Sequence, residues 1–277
     1  MPELAEAEFY RKRWDLAARG TLVTGVLLHD HAKIFRGTDP AVLRRHLTPA
    51  RFLGAQAAAK QILVRFAGDR WLGVHLGMSG ELRVEAPGYI PQKHDHLALV
   101  TARHTLVFTD PRMFGRVQFH HDPTPPPWWT NIAPALTSPA FTPEAVAAFL
   151  TRRARAPLKA VLLLQERFPG IGNWMADEIL WRAALHPKRL AGSLSPAEVR
   201  TLWRKCRHVA RLALATIAGR GPTLPPDLNA HIPPTWLFWH RWEKGGVCPK
   251  TKQPLAREDV GGRTTCWSPA RQKLRPA

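Results

Sequence analysis

A chain of 277 residues with 45% hydrophobic content is long enough for two domains, each with a core of its own. Forty Lys and Arg against 21 Asp and Glu leave a net charge of +19, an excess that answers a polyanion, with nucleic acid the first candidate. No apolar run approaches the length of a spanning helix, and the amino terminus carries carboxylates where a signal peptide needs positive charge, so a membrane partner is excluded and a cytoplasmic, nucleoid-associated protein is expected.

In chain order, Leu4, Ala7, Tyr10 and Trp14 recur at helical spacing and predict a helix over Glu3–Ala17. From Leu22 to Phe119 the pattern changes to short β-type runs divided by Gly, Asp and Arg-His turns, which reads as a β-sandwich or barrel. His120–Ala140 holds six prolines and no period. A first domain is therefore drawn at 1–130 and a linker at 131–141. Thr142 before Pro143 is an N-cap followed by proline at the first helical position, opening a helix to about Arg153. Leu158–Arg167 and Asn173–Leu185 read as further helices around the turn Pro169–Gly172. Ser195-Pro-Ala-Glu198 is a capping box starting a long helix that ends near Gly219. These give a helical domain at 142–230. Trp236–Trp267 reads as strand, turn and strand within a terminal hairpin region at 235–277. The expected class is α+β in two domains.

Three separated segments carry a family resemblance. The start, Met1-Pro-Glu-Leu-Ala-Glu-Ala-Glu8, the segment Phe168-Pro-Gly-Ile-Gly-Asn-Trp-Met-Ala-Asp-Glu-Ile-Leu-Trp-Arg-Ala-Ala-Leu-His-Pro187, and the group His75-Leu-Gly-Met-Ser-Gly80, Lys93-His-Asp-His96 and Asp110-Pro-Arg-Met-Phe-Gly115 resemble the formamidopyrimidine-DNA glycosylase and endonuclease VIII family. The resemblance implies an N-terminal β-sandwich with an N-terminal helix, a helix-two-turn-helix domain and a finger. It also implies base-excision repair: removal of oxidised or ring-opened bases from damaged double-stranded DNA through a Schiff base, followed by β,δ-elimination.

Chemistry gives Pro2 independent weight. Removal of Met1 leaves a secondary amine, and an α-amino group with a pKa of roughly 8, against roughly 10.4 for lysine, has far more free base at neutral pH. The resemblance makes Pro2 the nucleophile at C1′, Glu3 the acid/base that protonates the opening sugar, Glu6 a supporting carboxylate and Lys60 an aid to elimination. The plainer reading of Pro2 and Glu3 is an ordinary helix start. An enzyme reacting at C1′ extrudes the nucleotide and refills the space; Met78, Arg112 and Phe114 match the family's three void-filling side chains, although strand residues of these types more often pack in a core. Glycines at 170 and 172 let backbone amides approach a phosphate at a helix terminus. Gly172, Asn173, Lys159 and Arg263, with His75 and His94 ranked below them, match phosphate contacts.

The pattern breaks at the finger. Where the family has CxxC twice, this chain has Cys248-Pro-Lys-Thr251 and Ser268-Pro-Ala-Arg271, and Cys266 is out of register for a ligand. The expectation is a zincless finger, no metal and no organic cofactor, with the hairpin held by apolar contacts from Trp236, Phe238, Trp242, Leu255 and Trp267. Gly219–Pro234, where 8-oxoguanine-specific members carry a base-capping loop, is proline-rich and poorly matched except for Thr223, and Leu164 stands where the family often has Asp. Two alternatives stay open: an abasic-site lyase or unusual-adduct glycosylase, and a noncatalytic lesion-binding protein. A wedge and phosphate grip works as a monomer, the expected state.

Overall fold

The structure is a computed structural model and describes Pro2–Leu274. The chain forms two compact units: one takes in the chain to Ile132 and then Ile217–Leu228, the other takes in Ala133–Thr216 and the chain from Asn229 onward.

The first unit begins with helix α1 (Leu4–Ala18). It continues through strand β1 (Leu22–Leu28), helix α2 (Pro40–Leu47), strands β2 (Ala50–Ala58), β3 (Gln61–Phe66), β4 (Arg70–His75), β5 (Glu81–Glu85), β6 (Asp95–Thr101), β7 (Thr105–Thr109) and β8 (Arg116–His121), and the short helix α3 (Pro127–Thr130). The strands run in the order β5-β7-β6-β1-β2-β3-β4-β8. β1 and β2 share only the pairs Leu22↔Arg51 and Val23↔Ala50, so the sheet divides there into two antiparallel halves. Alternate residues of these strands, among them Phe52, Ile62, Val64, Phe66, Leu72, Leu99, Leu106 and Phe108, are buried and make the sandwich core.

Helix α1 is buried on more than one side: Ala5, Phe9, Tyr10 and Trp14 are inside, and so are Glu6, Lys12 and Asp15. Each buried polar group is used. Asp15 Oδ1 accepts the Ala55 N–H at 2.8 Å in β2, and Trp14 Nε1 donates to the Arg83 carbonyl at 2.9 Å in β5. Lys12 Nζ donates to the Ala218 and Gly219 carbonyls at 2.9 and 2.7 Å, which fixes the segment 217–228 to the first unit. That segment was expected to end the helical domain. A lysine on helix-terminal carbonyls satisfies groups that have no intrahelical partner, which accounts for the difference.

The second unit holds α4 (Pro143–Arg152), α5 (Leu158–Leu162), α6 (Asn173–Ala183), α7 (Pro196–Ile217), and the hairpin of β9 (Ala256–Val260) and β10 (Arg263–Trp267). The N-cap is as read from the sequence: Thr142 Oγ1 accepts the Ala145 N–H at 3.2 Å. So is the Ser195/Glu198 box, with Ser195 N–H donated to Glu198 Oε2 at 2.8 Å. Three expectations change. α5 stops at Leu162 rather than Arg167, because Gln165 leaves the helix to bind backbone: its Nε2 donates to the Leu163 and Ile171 carbonyls. The second half of the drawn linker is packed, with Leu136 and Phe141 buried and the Arg207 guanidinium donating to the Thr137 and Ser138 carbonyls. The stretch after Trp236 is a 3-10 turn (Leu237–His240), not a strand, since Trp236, Leu237 and Phe238 are buried in succession and a strand with one covered face buries alternate residues.

Candidate active site

In the first unit, Pro2 lies outside α1, one residue before the N-cap, and is partly exposed. Glu3 is the N-cap and Glu6 the N3 residue: Glu3 N–H donates to Glu6 Oε2 at 3.2 Å, and the Glu3 carboxylate accepts the Glu6 N–H. Glutamate is not among the preferred N-cap residues. The reciprocal bonds hold two carboxylates, 1% and 8% exposed, directly beside the amino-terminal proline. Two further groups face them that the sequence reading missed. Burial, then Glu81 and Glu6, push the Tyr10 hydroxyl well above its ordinary pKa and keep it protonated. No motif marks Tyr10 or Glu81; only the packing of α1 on β5 brings them there.

Lys60 is at the tip of the β2–β3 hairpin, after Ala59 with φ +53°, where Ala58 pairs with Gln61. Gln61 pairs in turn with His75. Burial first, then the Lys60 and Arg36 charges, lower the His75 pKa, so the imidazole is neutral beside the ammonium. Its Nδ1 accepts the Gly77 N–H at 3.1 Å. His75 therefore shapes the loop that carries Met78.

The loops 76–80 and 110–115 lie backbone to backbone. A Cβ on Gly77 would meet the Gly115 nitrogen at 2.4 Å, and one on Gly115 would meet the His75 carbonyl at 3.0 Å, so both positions need glycine. Asp110, fully buried, fastens the pair: it accepts Ser79 Oγ at 2.6 Å, Gly115 N at 2.7 Å and Arg112 N at 3.3 Å. From this base Met78 and Phe114 project with 38% and 51% exposure, against the core alternative, and the Arg112 guanidinium lies 4.9 Å from the Phe114 ring centroid. Met113 between them has φ +52°. Asp110 opens the Asp110–Gly115 motif, and only the meeting of the two loops gives it this role. His94 is exposed, and its carbonyl accepts the Asp110 N–H at 3.0 Å.

In the second unit, Gln165 Oε1 accepts the Gly170 N–H at 3.0 Å and holds the turn that ends at Gly172, ahead of α6. Asn173 Nδ2 donates to the Thr264 carbonyl at 3.0 Å, joining this turn to the hairpin. Gly261 and Gly262, both at positive φ, make the two-residue hairpin turn, and a Cβ on Gly261 would strike Ala160 Cβ at 2.6 Å. Arg263, the next residue, is exposed.

Lys159 does not face outward as expected of a phosphate ligand. It is fully buried, with Nζ donating to Asp177 Oδ1 at 2.6 Å and to the Asn173 carbonyl at 2.7 Å. The physical reason is Asp177, also buried, whose charge needs a partner. Asp177 Oδ2 accepts Arg241 Nε at 3.0 Å, Arg241 Nη2 at 2.7 Å and the Cys266 N–H at 3.1 Å. One carboxylate ties α5, Arg241 just after the 3-10 turn, and β10 to α6.

The finger does not fit zinc. Its four ligand positions hold Cys248, Thr251, Ser268 and Arg271, one thiolate among two hydroxyls and a guanidinium that donates to the Trp181 carbonyl. Among the described residues no cluster of three or more His, Cys, Asp or Glu side chains is arranged to hold a metal. Instead Cys248 is buried in a cluster with Trp181, Leu237, Cys266 and Leu255. Of the apolar residues expected there, Leu255 belongs to the cluster, while Trp236 and Phe238 pack against Trp174. Trp267 stacks edge-on with His186, and Trp242 is half exposed. Trp181 Nε1 donates to Cys248 Sγ at 3.3 Å, and the neighbouring Thr251 backbone and hydroxyl and Ser268 hydroxyl favour the thiolate.

Burial by itself raises the Cys248 pKa, but these donors outweigh it and bring the thiol down to about 7. A folded pKa below the unfolded value of roughly 8.5 contributes stability that is fully present above that value and is lost as pH falls through about 7. Thermal midpoints of the wild type and Cys248→Ala, measured from pH 6 to 9, are expected to diverge as pH rises; a constant difference would rule out the thiolate.

A β-sandwich opened by a Pro-Glu terminus, followed by a helix-two-turn-helix unit and a hairpin, defines the helix-two-turn-helix class of glycosylase folds. Residues 1–117 match the formamidopyrimidine-DNA glycosylase N-terminal domain and residues 132–221 its H2TH domain. Curated relatives include the formamidopyrimidine-DNA glycosylases of Thermomicrobium roseum, 32% identical over 99% of this chain and 100% of that protein, and of Thermus thermophilus, 35% identical over 98% of each. The fold matches that of Lactococcus lactis Fpg solved with DNA containing an abasic site, with a TM-score of 0.86, 22% identity and coverage of 98% of this chain and 100% of that one. The chain belongs to the formamidopyrimidine-DNA glycosylase family.

Proposed function

We propose that this protein is a base-excision-repair DNA glycosylase with AP lyase activity that acts on damaged duplex DNA from its amino-terminal proline. The Pro2 nitrogen attacks C1′, the C1′–base bond breaks, and the base leaves with the bonding pair. Glu3 protonates the opening sugar, giving a Schiff base between Pro2 and C1′. β,δ-Elimination then cuts the strand on both sides, and water releases the amine. Glu6 fixes Glu3, and Lys60 assists elimination. Met78, Arg112 and Phe114 fill the vacated duplex, while Gly172, Asn173 and Arg263 hold phosphates, with His75 and His94 shaping the loops that carry the wedge. Asn173 has a second amide hydrogen beyond the one given to Thr264. The observation that carries the reading is the buried Glu3–Glu6 pair beside Pro2.

Borohydride trapping tests it, on duplexes carrying an abasic site, 8-oxoguanine, a formamidopyrimidine or dihydrouracil. A covalent adduct lost in Pro2→Gly supports the enzyme; tight binding with no adduct on any duplex overturns it in favour of a lesion-binding protein. One observation favours a narrower activity, on abasic sites or unusual adducts. Thr223, the remnant of the base-capping segment, donates its hydroxyl at 2.6 Å to the Arg220 carbonyl inside its own turn. In the trapping panel that reading gives an adduct with the abasic duplex and none with 8-oxoguanine.

The enzyme works as a monomer without metal. Its rate is expected to be unchanged after dialysis against EDTA, and a loss restored by zinc would overturn the metal-free finger.

A further inference from the structure

Helix α7 carries Arg200, Arg204, Lys205, Arg207 and Arg211 against one carboxylate, Glu198. Glu198 is already engaged by Arg189. Leu202, Cys206, Val209, Ala210 and Ala213 form its buried side. Arg200, Arg204 and Arg211 are exposed and, at i, i+4 and i+11, fall within about 40° of one another around a helix of 3.6 residues per turn. Arg207 lies on the same side but gives its guanidinium to backbone carbonyls. Among the described residues, none of the three exposed arginines is ion-paired; Arg204 donates only to Thr201 Oγ1, and Glu144 shares a groove with Arg200 without pairing to it.

Like charges at i, i+4 destabilise a helix, so this row works against the fold that bears it. It is also remote in sequence from the Gly172–Asn173 turn and from Arg263. The row is about 16 Å long at 1.5 Å per residue, the axial span of roughly five phosphates of one DNA strand.

We infer that the exposed face of α7 is a second, sequence-independent contact for the backbone of duplex DNA, separate from the lesion-binding residues. It rests on the reading of the protein as a DNA enzyme. Its role is to raise affinity for undamaged DNA, on which the protein searches, without taking part in base removal.

The test is the triple variant Arg200→Glu, Arg204→Glu, Arg211→Glu, compared with a control carrying Arg45→Glu, Arg51→Glu and Arg103→Glu. The measurement is the slope of log affinity against log salt for an undamaged duplex. A slope shallower by about 2 to 3 is expected for the α7 variant, at about 0.9 for each phosphate no longer neutralised. Its single-turnover rate on saturated lesion duplex should be unchanged, and its thermal midpoint equal to or above that of the wild type. An unchanged slope overturns the inference, as does an equal change in the control, which would mean net charge alone. Weakened binding to polyglutamate with an unchanged DNA slope would assign the face to an acidic protein and also overturn it. If the wild type traps on no duplex while the α7 slope still falls, the glycosylase reading fails and this one stands.

Discussion

Replacing Glu3 with glutamine is expected to slow base removal by roughly 10²–10⁴-fold in single turnover, the range for loss of a positioned proton donor. The substitution tests chemistry rather than folding. Glutamine keeps a side-chain oxygen to accept the Glu6 N–H, and the Glu3 backbone N–H still reaches Glu6 Oε2, so the capping box and α1 remain. Affinity for a lesion duplex should stay within about twofold, because uniform binding is untouched when only a transition-state interaction is removed. Trapping on a preformed abasic site should fall less than trapping on a damaged base, since no base has to leave. A rate within threefold of wild type, with the thermal midpoint unchanged, would show that Glu3 only caps a helix.

Asp177→Ala is expected to cost about 3–5 kcal/mol of stability, measured by urea unfolding, because it strands two cations in the interior. Lys159 is fully buried and Arg241 is 4% exposed, so neither finds water when the carboxylate goes. Surface ion pairs of the same chain, such as Arg153–Glu166 with side chains about half exposed, should cost under about 1 kcal/mol when broken. The contrast separates a fastener from decoration. Replacing the carboxylate and the lysine together, Asp177→Leu with Lys159→Met, should recover part of the loss, since two apolar groups leave one buried cation fewer. A loss below 1 kcal/mol for Asp177→Ala would mean that the hairpin is held by apolar contacts alone.

The sequence alone determined the family, the order of domains and the residues around Pro2, because those rest on short motifs whose chemistry is local. A proline beside a glutamate, glycines at a helix terminus and a Ser-x-x-Glu box each act within a turn or two of where they are written. The lack of a thiolate ligand set was equally legible, since a tetrahedral thiolate site needs four donors at fixed spacings and this chain supplies one. What long-range packing decides was not legible. Lys159 looks like any basic residue until α6 brings Asp177 to it, and burial turns a surface charge into an internal one. Tyr10 and Glu81 meet only because α1 packs on β5, and Lys12 holds carbonyls 206 residues away. The Trp181 indole on Cys248 likewise joins α6 to the hairpin region. In each case the deciding quantity is the cost of leaving a charge or polar group unpaired away from water, and a linear pattern does not record which groups will share that interior.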